Sequence, residues 1–341
     1  MNFDDIMREI TSGLTGDPER DMRYLNEQCE IYKTHEMATE IIRAVGRLMY
    51  DIMPPELRES VTRLIDNNNL GEDAAIEEAE FQISKKNFGK ALDILESLIG
   101  KIENDKGEFN VYLDDKVSEY HNFRNPFEDI LYCEMNEPLK EVRNMRRNFD
   151  NLYYVYGALL FELERFDESE KALLKAIGIN PIRVEAMFEL GEIYKLRGDL
   201  ERYMDLSKQC LKISYSGKNV ARCFRNMGYY YVEKELYDAA VVMYYISMNF
   251  DRQTQIAQSE LYYIQQTTGK PAPSFSSDEM EAICREHDVP FGPNDLVLEV
   301  AYTLGKMAEN DKEYDASRFF YSIIYSLTRS DKVMEWIRNL P

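Results

Sequence analysis

Between Asn151 and Pro181 the chain reads NLYYVYGALLFELERFDESEKALLKAIGINP, one complete helix-turn-helix unit closed by a proline. Gly157, Ser169 and Ala176 are small where two antiparallel helices must approach closely, while Tyr153, Leu160, Phe166 and Leu173 are large enough to fill the space between them. Pro181 cannot continue a helix, so the second helix stops there. The unit recurs. Ala79, Phe88, Ala91, Leu95 and Leu98 keep the same mutual offsets within Ala74 to Ile102. Gly157 to Gly191 is a step of 34 residues, carrying Met187, Leu190, Tyr194, the turn Gly198-Asp199, Leu200 and Cys210. The next step, to Gly228, is 37, with the extra residues around Ser216-Gly217-Lys218 and with Phe224, Met227, Tyr231, Tyr237, Ala240 and Tyr244 in place. A last copy carries Ala301, Leu304, Gly305, Ala308, Tyr314, Ser317, Tyr321 and Ile324.

At Tyr153, Tyr156, Gly157, Leu160, Phe166, Leu173, Ala176 and Pro181 the unit resembles the tetratricopeptide repeat, departing from it at Ser169, where alanine is usual. The step of 34 residues is that family's period. The resemblance implies an all-α fold, an α-solenoid of tetratricopeptide-like helix-turn-helix repeats with helical N- and C-terminal caps. Residues 1–70 then form an N-terminal helical region, a degenerate repeat or cap, with helices from Pro18 to Lys33, from His35 to Met53 and over 55–68. A repeat spans 71–104. Residues 105–149 are an irregular insertion with short helices, in which Phe109 to Leu113 reads as extended. Three tandem repeats occupy 150–252. Degenerate helices with a Pro/Ser linker fill 253–297, including a capping box at Ser276 to Glu279. The last repeat and a C-terminal cap holding Trp336 complete 298–341.

Charge and motifs narrow the function. Lys and Arg number 41 against 62 Asp and Glu, a net charge of −21 that opposes binding to phosphate backbones or anionic membranes. The five cysteines are scattered without a Cys-x-x-Cys, which reads as buried, reduced thiols and not as a disulfide framework. The acidic start MNFDDIMREI lacks the regions of a secretory signal, and no apolar run is long enough to span a membrane, so a cytoplasmic location is expected. None of the Gly-Lys pairs is followed by Ser or Thr, no Gly-x-Gly-x-x-Gly or Gly-x-Ser-x-Gly occurs, and His35, His121 and His287 are far apart. No catalysis, cofactor, metal or nucleic acid is therefore expected. The clusters Glu77-Glu78-Glu80 and Asp114-Asp115 read as solvated faces, and Lys140, Arg143, Arg146 and Arg147 as partners for the chain's own carboxylates. Where tyrosines are adjacent, as at 153–154, 229–231 and 244–245, one should pack inside and its neighbour reach the surface.

In the family resembled, first helices of successive repeats line a concave groove through their fifth, ninth and twelfth positions. That register implies Tyr154, Ala158 and Phe161; Phe188, Glu192 and Lys195; Arg225, Tyr229 and Val232; and Tyr302, Lys306 and Glu309. Of the carboxylate clamp that chaperone-binding members use, only Asn226 is present. Arg222, Arg225 and Tyr229 share one helix face, which suits a carboxylate or an acidic peptide; pairing of those arginines with Glu185, Glu189 and Glu192 of the preceding helix is the other reading. The expected function is a non-catalytic scaffold that binds a protein or peptide in the groove. A regulatory peptide-sensing receptor acting on a partner protein is the alternative. A DNA-reading version is disfavoured because Met1 to Leu70 holds 8 Lys and Arg against 14 Asp and Glu.

Overall fold

The computed structural model describes residues 3–35, 37–54, 70–104, 114–145, 147–252 and 254–341. The helix expected over 55–68 and the extended stretch Phe109 to Leu113 lie outside these residues, as does Arg146. The chain divides into two compact units, Met1–Ala75 and Ile76–Pro341.

In the first unit, α1 (Phe3–Ser12), α2 (Pro18–Tyr32) and α3 (Ala38–Ile52) enclose Ile6, Ile10, Leu25, Ile41 and Val45. Asp17 caps α2 by accepting from the Arg20 amide, and Pro18 fills the first turn, where a missing amide costs nothing. The buried Asp21 carboxylate accepts from the amides of Thr15 and Gly16 and from the Thr15 hydroxyl, each at 2.8 Å. These bonds hold its carboxyl below the usual value, the Thr15 amide contributing most.

From Leu70 on, the chain is built mainly from consecutive helix pairs. They are α4 (Leu70–Ser84) with α5 (Phe88–Asn104), α7 (Phe149–Glu162) with α8 (Phe166–Ile179), α9 (Val184–Leu196) with α10 (Leu200–Ile213), and α11 (Gly217–Glu233) with α12 (Tyr237–Phe250). α13 (Ile256–Thr268) and α14 (Ser277–Glu286) both pack on α12, and the expected capping box is present between Ser276 and Glu279. A further pair, α15 (Asp295–Asn310) with α16 (Tyr314–Thr328), is covered by α17 (Asp331–Asn339).

Each of the pairs α7/α8, α11/α12 and α15/α16 closes on a glycine. A Cβ built on Gly157 would lie 2.8 Å from Leu173, one on Gly228 2.8 Å from Tyr244, and one on Gly305 would overlap Tyr321. Twelve residues on, the partner helix presents a small side chain: Ser169, Ala240 and Ser317, all fully buried. Ser169, the departure from the family pattern, donates to the Gly157 carbonyl at 2.7 Å, and Ser317 repeats the bond to Gly305 at 3.0 Å. The hydroxyl thus ties one helix to the other at their closest approach. The α9/α10 pair differs. Tyr203 occupies the small position, and its ring sits 3.5 Å from where a Gly191 Cβ would be.

The turns between paired helices share one backbone conformation, with φ of 60° at Lys86, 58° at Glu164, 70° at Gly198, 58° at Glu235 and 64° at Lys312. Only one of the five is glycine, so the others carry the cost of a Cβ in the left-handed region. Adjacent tyrosines divide as expected: Tyr153, Tyr231 and Tyr244 are buried, while Tyr154, Tyr230 and Tyr245 are partly exposed. Among the cysteines, Cys210, Cys223 and Cys284 are buried as expected, but Cys29 and Cys133 are only half-buried.

The insertion is not purely helical. β1 (Ser118–His121) and β2 (Glu141–Asn144) pair in parallel, with Ser118 opposite Glu141 and His121 opposite Asn144, and α6 (Pro126–Asn136) forms the crossover that a parallel pair requires. α6, one of the short helices expected in the insertion, starts where Asn125 caps it and Pro126 fills its first turn. β1 leads into a main-chain bond from Asn122 to the Ile179 carbonyl at 3.0 Å, which anchors the insertion to the end of α8.

Below that anchor lies a buried polar network. Glu128, fully buried, accepts from the Arg124 guanidinium at 2.6 Å, from the Tyr215 hydroxyl at 2.8 Å and from the Asn180 amide at 3.1 Å. The same Asn180 amide reaches Asp150 at 3.3 Å, and Asp150 pairs with Arg183 at 2.7 Å. Tyr215 belongs to the extra residues between α10 and α11, and Gly217 beside it lets the backbone approach α16, since a Cβ there would lie 2.6 Å from the Ser326 carbonyl.

Two stability measurements test this account. In urea unfolding, Gly228→Val should cost about 1–3 kcal/mol by driving into Tyr244, whereas Glu235→Gly should gain about 0.5–1 kcal/mol by relieving the left-handed turn. Burial alone would raise the Glu128 carboxyl, but the hydrogen bonds and charge of Arg124 hold it below its ordinary 4.5. A carboxyl lowered by folding contributes stability that is present above the unfolded value and is lost as pH falls through the folded one. Glu128→Gln should therefore lower stability by about 3 kcal/mol at neutral pH and flatten the loss of stability in acid. An unchanged acid limb would show that the network does not anchor the insertion.

Candidate functional site

The residues expected in the groove fall on α7, α9 and α11, with Tyr302 on α15. On α7, the ring of Tyr154 lies under the Arg183 guanidinium at 4.2 Å, Ala158 stands one turn on, and Phe161 meets the ring of Phe166 edge-on at 5.5 Å. On α9, Phe188 is buried beneath the Arg222 guanidinium at 4.4 Å. Lys195 sits over the Tyr229 ring at 4.0 Å, and Tyr229 meets Tyr203 edge-on at 5.9 Å. Three aromatic faces are therefore already occupied by cations of the chain itself, an arrangement worth about 0.5–1 kcal/mol each where exposed.

The cations are in turn paired. Arg222 lies 3.9 Å from Glu189 and 3.5 Å from Glu192, and Lys195 lies 4.0 Å from Glu192. Arg225 points to Asp251 at 3.4 Å, and burial pushes its guanidinium below the ordinary value. Five of the expected residues, Phe188, Glu192, Lys195, Arg222 and Tyr229, thus join one patch of ring contacts and ion pairs, and Arg225 is paired apart from it with Asp251. Tyr302 is elsewhere, 5.7 Å from Trp336 of α17, which also touches Tyr321.

Tyr154 and Ala158 belong to a second feature, a cavity of about 450 Å³ between the α4–α5 turn and α7. Ile83, Phe88, Val155 and Leu159 give it apolar walls, and Glu80, Glu162, Glu189 and Lys86 supply its charge. Glu189 links cavity and patch, because the same carboxylate lines the one and pairs with Arg222 in the other. Burial pushes its carboxyl upward; Arg222 opposes this, while Glu192 and Glu162 add to it.

Sequence reasoning took Glu80 for a solvated face and Glu189 for a partner of the α11 arginines and did not single out Ile83 or Glu162, although Glu80 and Ile83 were within reach. Shifting the groove register from α7 back to the first pair puts Ile76, Glu80 and Ile83 at the fifth, ninth and twelfth positions, and two of these line the cavity. Glu162 and Glu189 sit one position beyond the register, and only the packing brings them to the site.

The remaining candidates have local partners. Asp115 accepts from the Val117 and Ser118 amides at 2.7 Å, Asp114 accepts from the Tyr120 amide at 3.0 Å, and Glu78 pairs with Lys90 at 3.4 Å. Lys140 faces Asp114 at 3.9 Å, Arg143 pairs with Glu141 at 2.7 Å, and Arg147 lies over the Phe149 ring at 5.0 Å. The histidines are separate: His35 accepts from the Met37 amide, His121 packs on Tyr132, and His287 packs on Tyr231. Among the described residues no group of three His, Cys, Asp or Glu side chains is placed to hold a metal ion, and no helix is long and apolar enough to cross a membrane.

Arg225 and Asp251 are both largely buried, so their pairing bears on stability. Arg225→Ala should lower the unfolding free energy by about 2 kcal/mol by leaving Asp251 unpaired. Unchanged urea unfolding would free Arg225 from this structural role.

Residues 150–183 match the model of the family described as Tetratricopeptide repeat. Among solved structures, a tetratricopeptide repeat protein from Parabacteroides merdae ATCC 43184 aligns at 10% identity over 93% of this chain and 97% of its own, with a TM-score of 0.43. The C-terminal part of a TPR repeat-containing protein from Cytophaga hutchinsonii aligns at 10% identity over 76% of this chain and 98% of its own, with a TM-score of 0.33. No curated protein matches the chain.

Proposed function

We propose that this tetratricopeptide-type helical-repeat protein is a non-catalytic scaffold that holds a protein or peptide segment on the face made by α7, α9 and α11. The observation that carries the reading is the cavity beside Tyr154 and Ala158, continuous through Glu189 with a patch whose side chains are fixed by one another. A surface held in this way loses little conformational entropy when a partner docks, so contacts made there are not spent on ordering the receptor. Stacked repeats supply extended surfaces of this kind. In the patch, the carboxylates of Glu189 and Glu192 and the cations of Arg222 and Lys195 are in mutual pairs, which supports the reading of a binding surface.

Ala158→Arg tests the proposal, because it fills the cavity from a helix position that tolerates a long side chain. Partners captured from the native cell extract should be lost with Ala158→Arg while circular dichroism and melting stay close to the wild type. Capture that survives the substitution, or no capture above a bare-resin control, would overturn it.

A further inference from the structure

We propose that the cavity between the α4–α5 turn and α7 receives a basic side chain, lysine or arginine, from an extended peptide segment of the partner. This rests on the reading that the face binds a peptide, and it names the chemistry of what is bound.

The cations of the patch and its surroundings are already engaged. Arg183 is paired with Asp150, Arg222 with Glu189 and Glu192, Lys195 with Glu192, and Arg225 with Asp251. Within the patch, an acidic ligand would have to break one of these pairs to find a cation, leaving a partly buried carboxylate behind. The cavity has the opposite balance. Three carboxylates, Glu80, Glu162 and Glu189, line it against the single ammonium of Lys86. Of the three, Glu189 alone has an ion-pair partner among the described residues, and it shares Arg222 with Glu192. Burial raises the Glu189 carboxyl against the opposing charge of Arg222, and Glu192 and Glu162 add to the rise.

Shape agrees with charge. Lysine and arginine lay an apolar stem along a wall and present the charge at the end. Ile83, Val155 and Leu159 furnish such a wall, Glu162 and Glu189 the acceptors, and the ring of Phe88 borders the same space. A cation near an aromatic face gains further attraction, more so when water is excluded. The volume, about 450 Å³, leaves room for one such side chain and the backbone that carries it.

The test pans a phage-displayed library of random peptides, each about a dozen residues long, against the full chain and against Glu162→Gln/Glu189→Gln. Lysine and arginine should be enriched among peptides retained by the wild type. The strongest basic peptide, synthesised with a fluorescein label, should bind the double variant about tenfold more weakly by anisotropy. Because the whole chain is acidic, Glu281→Gln/Glu286→Gln on α14 controls for diffuse attraction and should bind that peptide as the wild type does. Retained peptides without a basic excess, or equal weakening by both double variants, would overturn the proposal while leaving the scaffold reading intact. Retention of no peptide at all by the wild type would overturn both.

Discussion

Everything in residues 76–341 depends on how closely two helices of a pair can approach. At Gly157, Gly228 and Gly305 the facing side chain occupies the space that a Cβ would need, so only glycine permits the observed separation. The small residue twelve positions later completes the contact, and where it is serine its hydroxyl donates a second hydrogen bond to the glycine carbonyl. A carbonyl already engaged within its helix has a second lone pair free to accept. The serine therefore adds a link between helices without disturbing either. Close packing fixes the crossing of each pair, and the crossing decides which residues of the first helix face outward together.

The spacing of 37 residues between Gly191 and Gly228 looks, from sequence, like a loop irregularity. In the fold it has a purpose. The extra residues carry Tyr215, whose hydroxyl reaches the buried Glu128, and Gly217, whose bare backbone admits α16. The insertion and the last helix pair are therefore both fastened at one short linker. α6 also packs on α15, so the two irregular parts of the chain contact each other as well as the repeats. A carboxylate as deeply buried as Glu128 is tolerated because Arg124, Tyr215 and Asn180 occupy its oxygens. Nearby, Asp150 Oδ1 and Arg183 Nε have no hydrogen-bond partner among the described residues, so this second pair is less completely satisfied.

What the sequence disclosed follows from the range of the forces involved. Helix pairs, their turns and their caps are set by contacts within some thirty residues, and their signals survive in the spacing of Gly157, Gly191 and Gly228 and in Ser276 to Glu279. The parallel strands were not legible, because β1 and β2 are four residues each and are held by Asn122 reaching the end of α8, a contact invisible to local periodicity. Tyr302 shows a related difficulty. Its position in the repeat register matches that of Tyr154, yet Trp336 from a helix outside the repeat lies against it. Register alone specifies which way a residue points and says nothing about what comes to meet it.

The same distinction separates the two parts of the α7, α9 and α11 face. In the patch, each aromatic ring has its cation and each cation its carboxylate, so a ligand of either charge must exchange one good contact for another and gains little in the exchange. Such a surface contributes shape and rigidity more than attraction. At the cavity, Glu162 and Glu80 have no ion-pair partner among the described residues, Lys86 is the one cation among the lining residues, and apolar walls stand beside them. On this face carboxylate charge and apolar area lie side by side between the α4–α5 turn and α7, which is where the proposed segment would gain most.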